Sequence, residues 1–446
     1  MNDPNGFSYV DGRYDLFYQY RELQGEESTH LSWRLASSKD LVTYEDEGVK
    51  LTPCFPYEGM EEEGGGCFSG SRYRAKSGDY LLYAAASTRL GQSVALAKKD
   101  GSCYRQLPQN PIALPPAFVK KDSFRDPYCF AFGGRDYFII GASSTLGKGL
   151  ILLYELRGVE AIYRGVFFDD EDVTMFECPC LLFLEGKVVL IVSPIGLCKE
   201  GSHHQNKSNN VYLIGHINDD GRFVEETGYL DLDEGFDYYA AQGISLPGNG
   251  KEAILAAWLC LWNKETSFIP TKEKDGYLGT MALPRLLTIK EGKLWQKPLP
   301  SLENYLKAGP NETLGPGQRK EYSLASRLRI EGRNEPLSLS FFLNSHGGVH
   351  LAYDPLKKEA VITIEDDRPE SFLIYDGEER TVELQDGLWS IDAYLDRYVV
   401  ELCFNGGEKW ASLMYYPHLS EGGTVVVEVK GGHPSIREDV FKKASK

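Results

Sequence analysis

The sequence has no lysine- or arginine-rich run, no long apolar stretch and no framework of evenly spaced cysteines. Lysine and arginine total 48 against 65 aspartate and glutamate, a formal net charge of −17. So acidic a chain, without a basic patch, speaks against nucleic acid or an anionic membrane surface as a partner. No apolar run approaches the ~20 residues of a membrane span. Met1 is followed at once by polar residues, so no signal peptide is expected. The nine cysteines are odd in number and scattered, apart from Cys178 and Cys180. That is neither a disulfide scaffold nor zinc spacing, and it favours a reducing, cytoplasmic compartment. His203-His204 has no ligand partners at metal spacing and reads as a solvated loop pair. Asn206-Lys207-Ser208 and Asn311-Glu312-Thr313 match glycosylation acceptors, a pattern that recurs by chance.

Aromatics are plentiful at 12%, with 27 Tyr and 21 Phe. They suit β-strands and surfaces that stack on sugar rings. The opening MNDPNGFSYVDGRYDLFYQYR places the turn dipeptide Asp11-Gly12 between two aromatic strands. Four later segments repeat the pattern: YRAKSGDYLLYAAAS, FAFGGRDYFIIGASS, LFLEGKVVLIVSPIG and ISLPGNGKEAILAAWL. Their turn glycines are Gly78, Gly134, Gly186 and Gly250, after Gly12 in the first. Helix-period segments are scarce between them. The spacing fits one small sheet per repeat and predicts an all-β fold, a five-bladed β-propeller whose radial repetition protects strand edges.

The segments ahead of these hairpins are NDPNG, CFSGS, FRDP, FECP and DYYAAQ. In a propeller the innermost strands line one channel, so their entrances converge. That geometry gathers Asp3, Ser69, Arg125, Asp126, Glu177 and Asp237 around one pocket. A single acidic turn would be unremarkable as chemistry; three acids at equivalent repeat positions point to a site.

MNDPNG, FRDP and FECP, in this order, resemble the three catalytic blocks of glycoside hydrolase family 32, the β-fructofuranosidases, sucrose-6-phosphate hydrolases and fructanases. FYQY (17–20), SSKDLV (37–42), FSGS (68–71), DYYAAQ (237–242) and MALPRLL (281–287) extend the likeness over the first three hundred residues. The resemblance implies a five-bladed β-propeller followed by a C-terminal β-sandwich. It divides the chain into 1–307, a Gly- and Pro-rich linker at 308–318, and 319–446. After the linker, short alternating runs such as LSLSFFL, EAVITIE and TVVVEVK fit an antiparallel sandwich.

By the same resemblance Asp3 is the nucleophile, Glu177 the general acid/base, and Asp126 the acid that binds fructose hydroxyls and supports the transition state. Glycoside hydrolysis needs two carboxyl groups about an oxocarbenium-like centre. Asp3 must be ionised and calls for donors such as Asn2; Arg125 is expected to keep Asp126 ionised. Gln19, Phe68, Ser69, Asp237 and Tyr238 are further candidates for the fructose subsite. Trp33, Trp258 and Trp262 are candidate stacking walls. The expected partner is a small carbohydrate, with no cofactor and no metal. A fructosyltransferase, or an enzyme forming or cleaving difructose anhydrides, shares all three acids; a silent carbohydrate-binding propeller is the reading from another class.

Three departures from the family stand out. The family carries a segment ahead of the Asn-Asp-Pro block, and here the numbering starts within it. Trp33-Arg34-Leu35-Ala36 replaces the usual Trp-Gly-His-Ala. The tryptophan common after FYQY is missing from RELQGEESTH (21–30). The last two predict specificity shifted away from plain sucrose, with Arg34 a candidate contact to the leaving group.

Overall fold

The computed structural model describes all residues except 22, 25–26, 29, 247, 249, 263–268, 275, 376, 378, 417–423 and 443–446. It is built almost wholly of strands. All five expected hairpins form, and their turn residues show why. Asp11-Gly12, Gly133-Gly134 and Glu185-Gly186 each take positive φ at both positions, the conformation a two-residue hairpin turn demands.

Each hairpin opens a sheet that grows outward in sequence order. The leading strands are Pro4–Val10, Gly66–Ala75, Val119–Phe132, Met175–Leu184 and Tyr238–Ser245. Side chains tie these strands to one another. Asn5 accepts the Gly70 N–H (3.1 Å), and Ser71 donates to the Pro127 carbonyl (3.0 Å). The Tyr128 hydroxyl donates to the Gly243 carbonyl (2.8 Å). Gln242 accepts the Phe7 N–H (2.8 Å) and donates to the Gly70 carbonyl (3.1 Å), joining the fifth leading strand to the first and second.

Apolar faces pack between consecutive sheets. Phe17, Trp33 and Leu35 of the first meet Leu81, Tyr83 and Ala95 of the second. Leu82, Val94 and Leu96 of the second meet Phe138, Ile140 and Leu152 of the third. Each such buried side chain contributes ~1.5–3 kcal/mol.

Four leading strands share a further device. Between Asn5 and Ser8, Cys67 and Gly70, Arg125 and Tyr128, and Glu177 and Cys180, the pairing register slips by one residue. Each slip is a β-bulge, which bends the strand and re-aims its side chains. Pro127 and Pro179 fall inside bulges, where a missing N–H breaks no ladder bond.

The chain divides into two compact units. One comprises Met1–Leu197, Ser208–Leu230 and Tyr239–Trp258; the other comprises Cys198–Lys207, Asp231–Tyr238 and Leu259–Lys446. The second contains two six-stranded antiparallel sheets. Their strands alternate buried and outward residues, as in Thr424–Gly431, where Val425, Val427 and Val429 are buried. The expected 308–318 linker is only partly a linker: Leu306–Thr313 is an edge strand paired with Ser435–Phe441. Gly309 and Pro310 fit because the register breaks between Ala308 and Asn311. No described helix is long and apolar enough to cross a membrane.

Candidate active site

Asp3 immediately precedes the first leading strand, with Pro4 as that strand's first residue. The next strand, Arg13–Tyr20, carries Gln19 alongside. The Gln19 N–H donates to the Asp3 carbonyl (3.1 Å), and the Asn2 N–H to the Gln19 carbonyl (3.2 Å). The Asp3 carboxylate is buried and ringed by neutral donors. Ser69 donates its hydroxyl to Oδ2 (2.5 Å), and the Asn2 amide donates to Oδ1 (3.2 Å). Gln19 donates to Ser69 (2.7 Å) and accepts from the Asn2 amide, so both donors are themselves fixed. Burial raises the Asp3 pKa, and the bonds from Ser69 and Asn2 oppose the rise.

Asp126 and Cys178 sit in the bulges of the third and fourth leading strands, both with positive φ (65° and 47°). Such backbone costs a non-glycine residue about 1 kcal/mol or more, and it concentrates at sites of function. It turns Cys178 toward both aspartates. The Cys178 N–H donates to Asp126 Oδ2 (2.9 Å), and its thiol lies 3.6 Å from both Asp3 Oδ2 and Asp126 Oδ2. Burial, then Asp126 and Asp3, push the thiol pKa well above its usual range, so the sulfur is a protonated donor.

Glu177, next to Cys178, takes a different environment. Arg125 donates from Nε (3.0 Å) and Nη2 (2.6 Å) to Glu177 Oε1, and the Tyr239 hydroxyl donates to Oε2 (2.6 Å). Arg125 was expected to serve Asp126; its hydrogen bonds go instead to Glu177. Asp126 is left with the Cys178 N–H and thiol as its donors, and burial pushes its pKa up to about 7, with Arg125 opposing and Glu177 adding to the rise. Three carboxylates from three sheets thus lie within electrostatic reach of one another, each with a different set of donors and with the Cys178 thiol shared by the two aspartates. Among the described residues no group of three His, Cys, Asp or Glu is arranged to hold a metal.

The structure brings Asn2, Asp3, Gln19, Ser69, Arg125, Asp126 and Glu177 together. Half-buried Phe68 is beside Ser69 in the second bulge, and its carbonyl accepts the Trp33 indole N–H (3.1 Å). Four of the remaining candidates, Trp33, Trp258, Asp237 and Tyr238, are corrected. Trp33 is fully buried between Phe17 and Tyr83, a core residue and not a stacking wall. Trp258 is likewise buried within Ala253–Leu259. Asp237 is fully buried in the second unit and accepts the Met414 N–H (2.8 Å). The Tyr238 ring lies against the Arg285 guanidinium at 4.2 Å, also in that unit. Successive residues of a strand face opposite ways, so Tyr239, not Tyr238, supplies the hydroxyl on Glu177. Trp262 is exposed and belongs to the second unit. Arg34 pairs with Asp46 and stands over the Tyr20 ring at 5.0 Å. In the stretch 21–30, residues 22, 25, 26 and 29 lie outside those described. Tyr239 and Cys178 were missed, although both lie inside the DYYAAQ and FECP segments.

Comparison with known proteins agrees with this geometry. The model of the glycosyl hydrolases family 32 N-terminal domain matches residues 1–298. A sucrose-6-phosphate hydrolase of Lactococcus lactis subsp. lactis is 30% identical, covering 92% of this chain and 84% of its own. Among solved structures, a sucrose-6-phosphate hydrolase from Lactobacillus gasseri aligns with a TM-score of 0.83 at 27% identity, over 99% of this chain and 90% of its own. A mutant of a Bombyx mori GH32 beta-fructofuranosidase in complex with sucrose gives the same TM-score and identity, over 99% and 91%. The chain belongs to glycosyl hydrolase family 32 and is an O-glycosyl hydrolase of the β-fructofuranosidase type.

Proposed function

We propose that the chain cleaves terminal β-D-fructofuranosyl residues with retention, through a fructosyl-enzyme intermediate on Asp3. Asp3 attacks the anomeric carbon as the glycosidic bond breaks, and Glu177 gives its proton to the departing oxygen. Water then donates a proton to Glu177 and attacks the same carbon, releasing fructose and restoring the Asp3 carboxylate. Asp126 binds fructose hydroxyls and supports the oxocarbenium-like transition state. The observation that carries this reading is the division of donors. Asp3 has neutral donors only, as suits a nucleophile, whereas Glu177 is held in a fixed pose by Arg125 and Tyr239.

The substrates proposed are sucrose, sucrose 6-phosphate and short fructo-oligosaccharides, in keeping with the relatives named above. Arg34 is paired with Asp46 through Nε and Nη2. The five sheets are the blades of a propeller over 1–307, closed where Gln242 joins the first and last leading strands. The two six-stranded sheets form a sandwich that begins at the edge strand Leu306–Thr313 rather than at 319. All nine cysteines are free thiols, which supports a reducing, cytoplasmic setting.

Two variants test the roles. Asp3→Ala and Glu177→Ala both lose turnover on sucrose. A fructosyl donor whose leaving group needs no proton restores fructosyl transfer in Glu177→Ala only. Equal rescue of both variants overturns the assignment.

A further inference from the structure

The acid has a support that the family blocks do not contain. Gln92 lies near the start of Gly91–Asp100, the third strand of the second sheet, and is partly buried. Its Oε1 accepts the Phe124 N–H at 2.8 Å and stands 3.4 Å from Arg125 Nη1. Arg125 Nη1 also lies 3.4 Å from the Asp122 carbonyl. The guanidinium is therefore braced on one arm by Gln92 and the Asp122 carbonyl. Its Nε and Nη2 are turned to Glu177 Oε1.

We propose that Gln92 is a positioning residue for the general acid, acting through Arg125. This rests on the assignment of Glu177 as the acid/base. Two effects follow from one oxygen. It fixes the entry of the third leading strand one residue before Arg125 and two before the bulged Asp126. It also gives Nη1 a neutral acceptor, which keeps the cation on Glu177. Without it, Arg125 is drawn to the other carboxylates of the site. The groups that face Glu177 are Arg125, Tyr239, Cys178, Asp3 and Asp126. Only Arg125 among them is cationic, so moving it changes the pose of the acid. A guanidinium fork is strong but depends on being held in register, and an amide acceptor holds it without competing charge.

The test uses Gln92→Met, which keeps the length and removes the acceptor, and Gln92→Glu, which keeps the acceptor for Phe124 and adds charge beside Arg125. Each is assayed on the full chain with sucrose and with β-D-fructofuranosyl fluoride. A defect in acid catalysis penalises the poor leaving group. We expect kcat/KM on sucrose to fall about tenfold in both variants, with less than a twofold fall on the fluoride. Because Gln92→Glu retains the backbone bond, it carries the test even if Gln92→Met folds poorly. Equal losses on both donors, or no loss on either, overturn the proposal and leave Gln92 a structural residue. Glu177→Gln with full sucrose activity instead overturns the parent assignment, and this one with it.

Discussion

At the scale of residues, the site is a problem of keeping buried carboxylates chemically distinct. Ser69 is the shortest donor on Asp3 and lowers its pKa against burial. Ser69→Ala removes that bond, so the Asp3 pKa rises further. The expected result is a loss of kcat/KM of about tenfold to a hundredfold, from a charge-assisted bond of ~1.5–3 kcal/mol, with the acid limb of the profile moved to higher pH. Asp126 makes the opposite bargain with stability. Its pKa is about 7 in the folded chain, raised from its ordinary value near 3.8. Between those values the folded state binds more protons than the unfolded one, so its contribution to stability is present in acid and is lost as pH rises through about 7. Asp126→Asn removes the ionisation. It is expected to stabilise the protein by about 2 kcal/mol at about pH 8, with the gain vanishing at about pH 4, while activity is lost. Thermal melts of both proteins at the two pH values check the sign.

At the scale of elements, the bulge is the unit that makes the site. It recurs at four leading strands, and in two of them it carries a proline and a non-glycine residue with positive φ. Gly141, on Arg135–Ser144 beside the third leading strand, lies so close to the fourth that a Cβ would stand 1.9 Å from the Phe176 carbonyl, next to Glu177. Gly141→Ala is expected to cost about 2 kcal/mol or more and to lower activity by displacing Glu177; a melt paired with a rate measurement tests both. Much of this was legible in the sequence. The acids announced themselves because each stands one or two residues before a proline in the segment ahead of a hairpin, and the turn glycines marked the hairpins. What was not legible depends on register and partners. Tyr238 and Tyr239 differ only in which face of one strand they occupy. Trp33 reads the same as a wall or as core until Phe17 and Tyr83 are seen around it. The competition between Glu177 and Asp126 for Arg125 is decided by the bulges, which leave no sequence pattern of their own. The linker reading failed in part because Gly309-Pro310 also fits an irregular edge strand.

At the scale of the whole molecule, Gln242 links the fifth leading strand to the first and second. Gln242 binds the backbone of both Phe7 and Gly70. Gln242→Leu leaves two buried backbone groups without that amide, and is expected to cost about 2–4 kcal/mol and to broaden the unfolding transition. Calorimetry measures this directly; an unchanged melt would count against closure through this residue. The second unit has its own buried lock. Arg285 is enclosed by the Tyr238 and Trp410 rings and binds Asp233 (2.7 Å), with Glu401 at 3.4 Å. Arg285→Leu strands two buried carboxylates, an expected loss of about 3–5 kcal/mol, most severe above the Glu401 pKa of about 7. Retaining hydrolysis by two carboxyl groups needs no metal, so activity is expected to be unchanged by excess chelator.

In the proposed mechanism Asp3 forms a covalent bond to fructose while Glu177 only moves protons. The most direct measurement is the intact mass of Glu177→Gln incubated with β-D-fructofuranosyl fluoride, followed by peptide mapping. Attack on the fluoride needs no acid, whereas release by water needs the base. The expected result is a mass gain of one fructosyl unit, carried by the N-terminal peptide that contains Asp3 and absent from the Asp3→Ala, Glu177→Gln double variant. An adduct on another residue, or one that persists without Asp3, would contradict it.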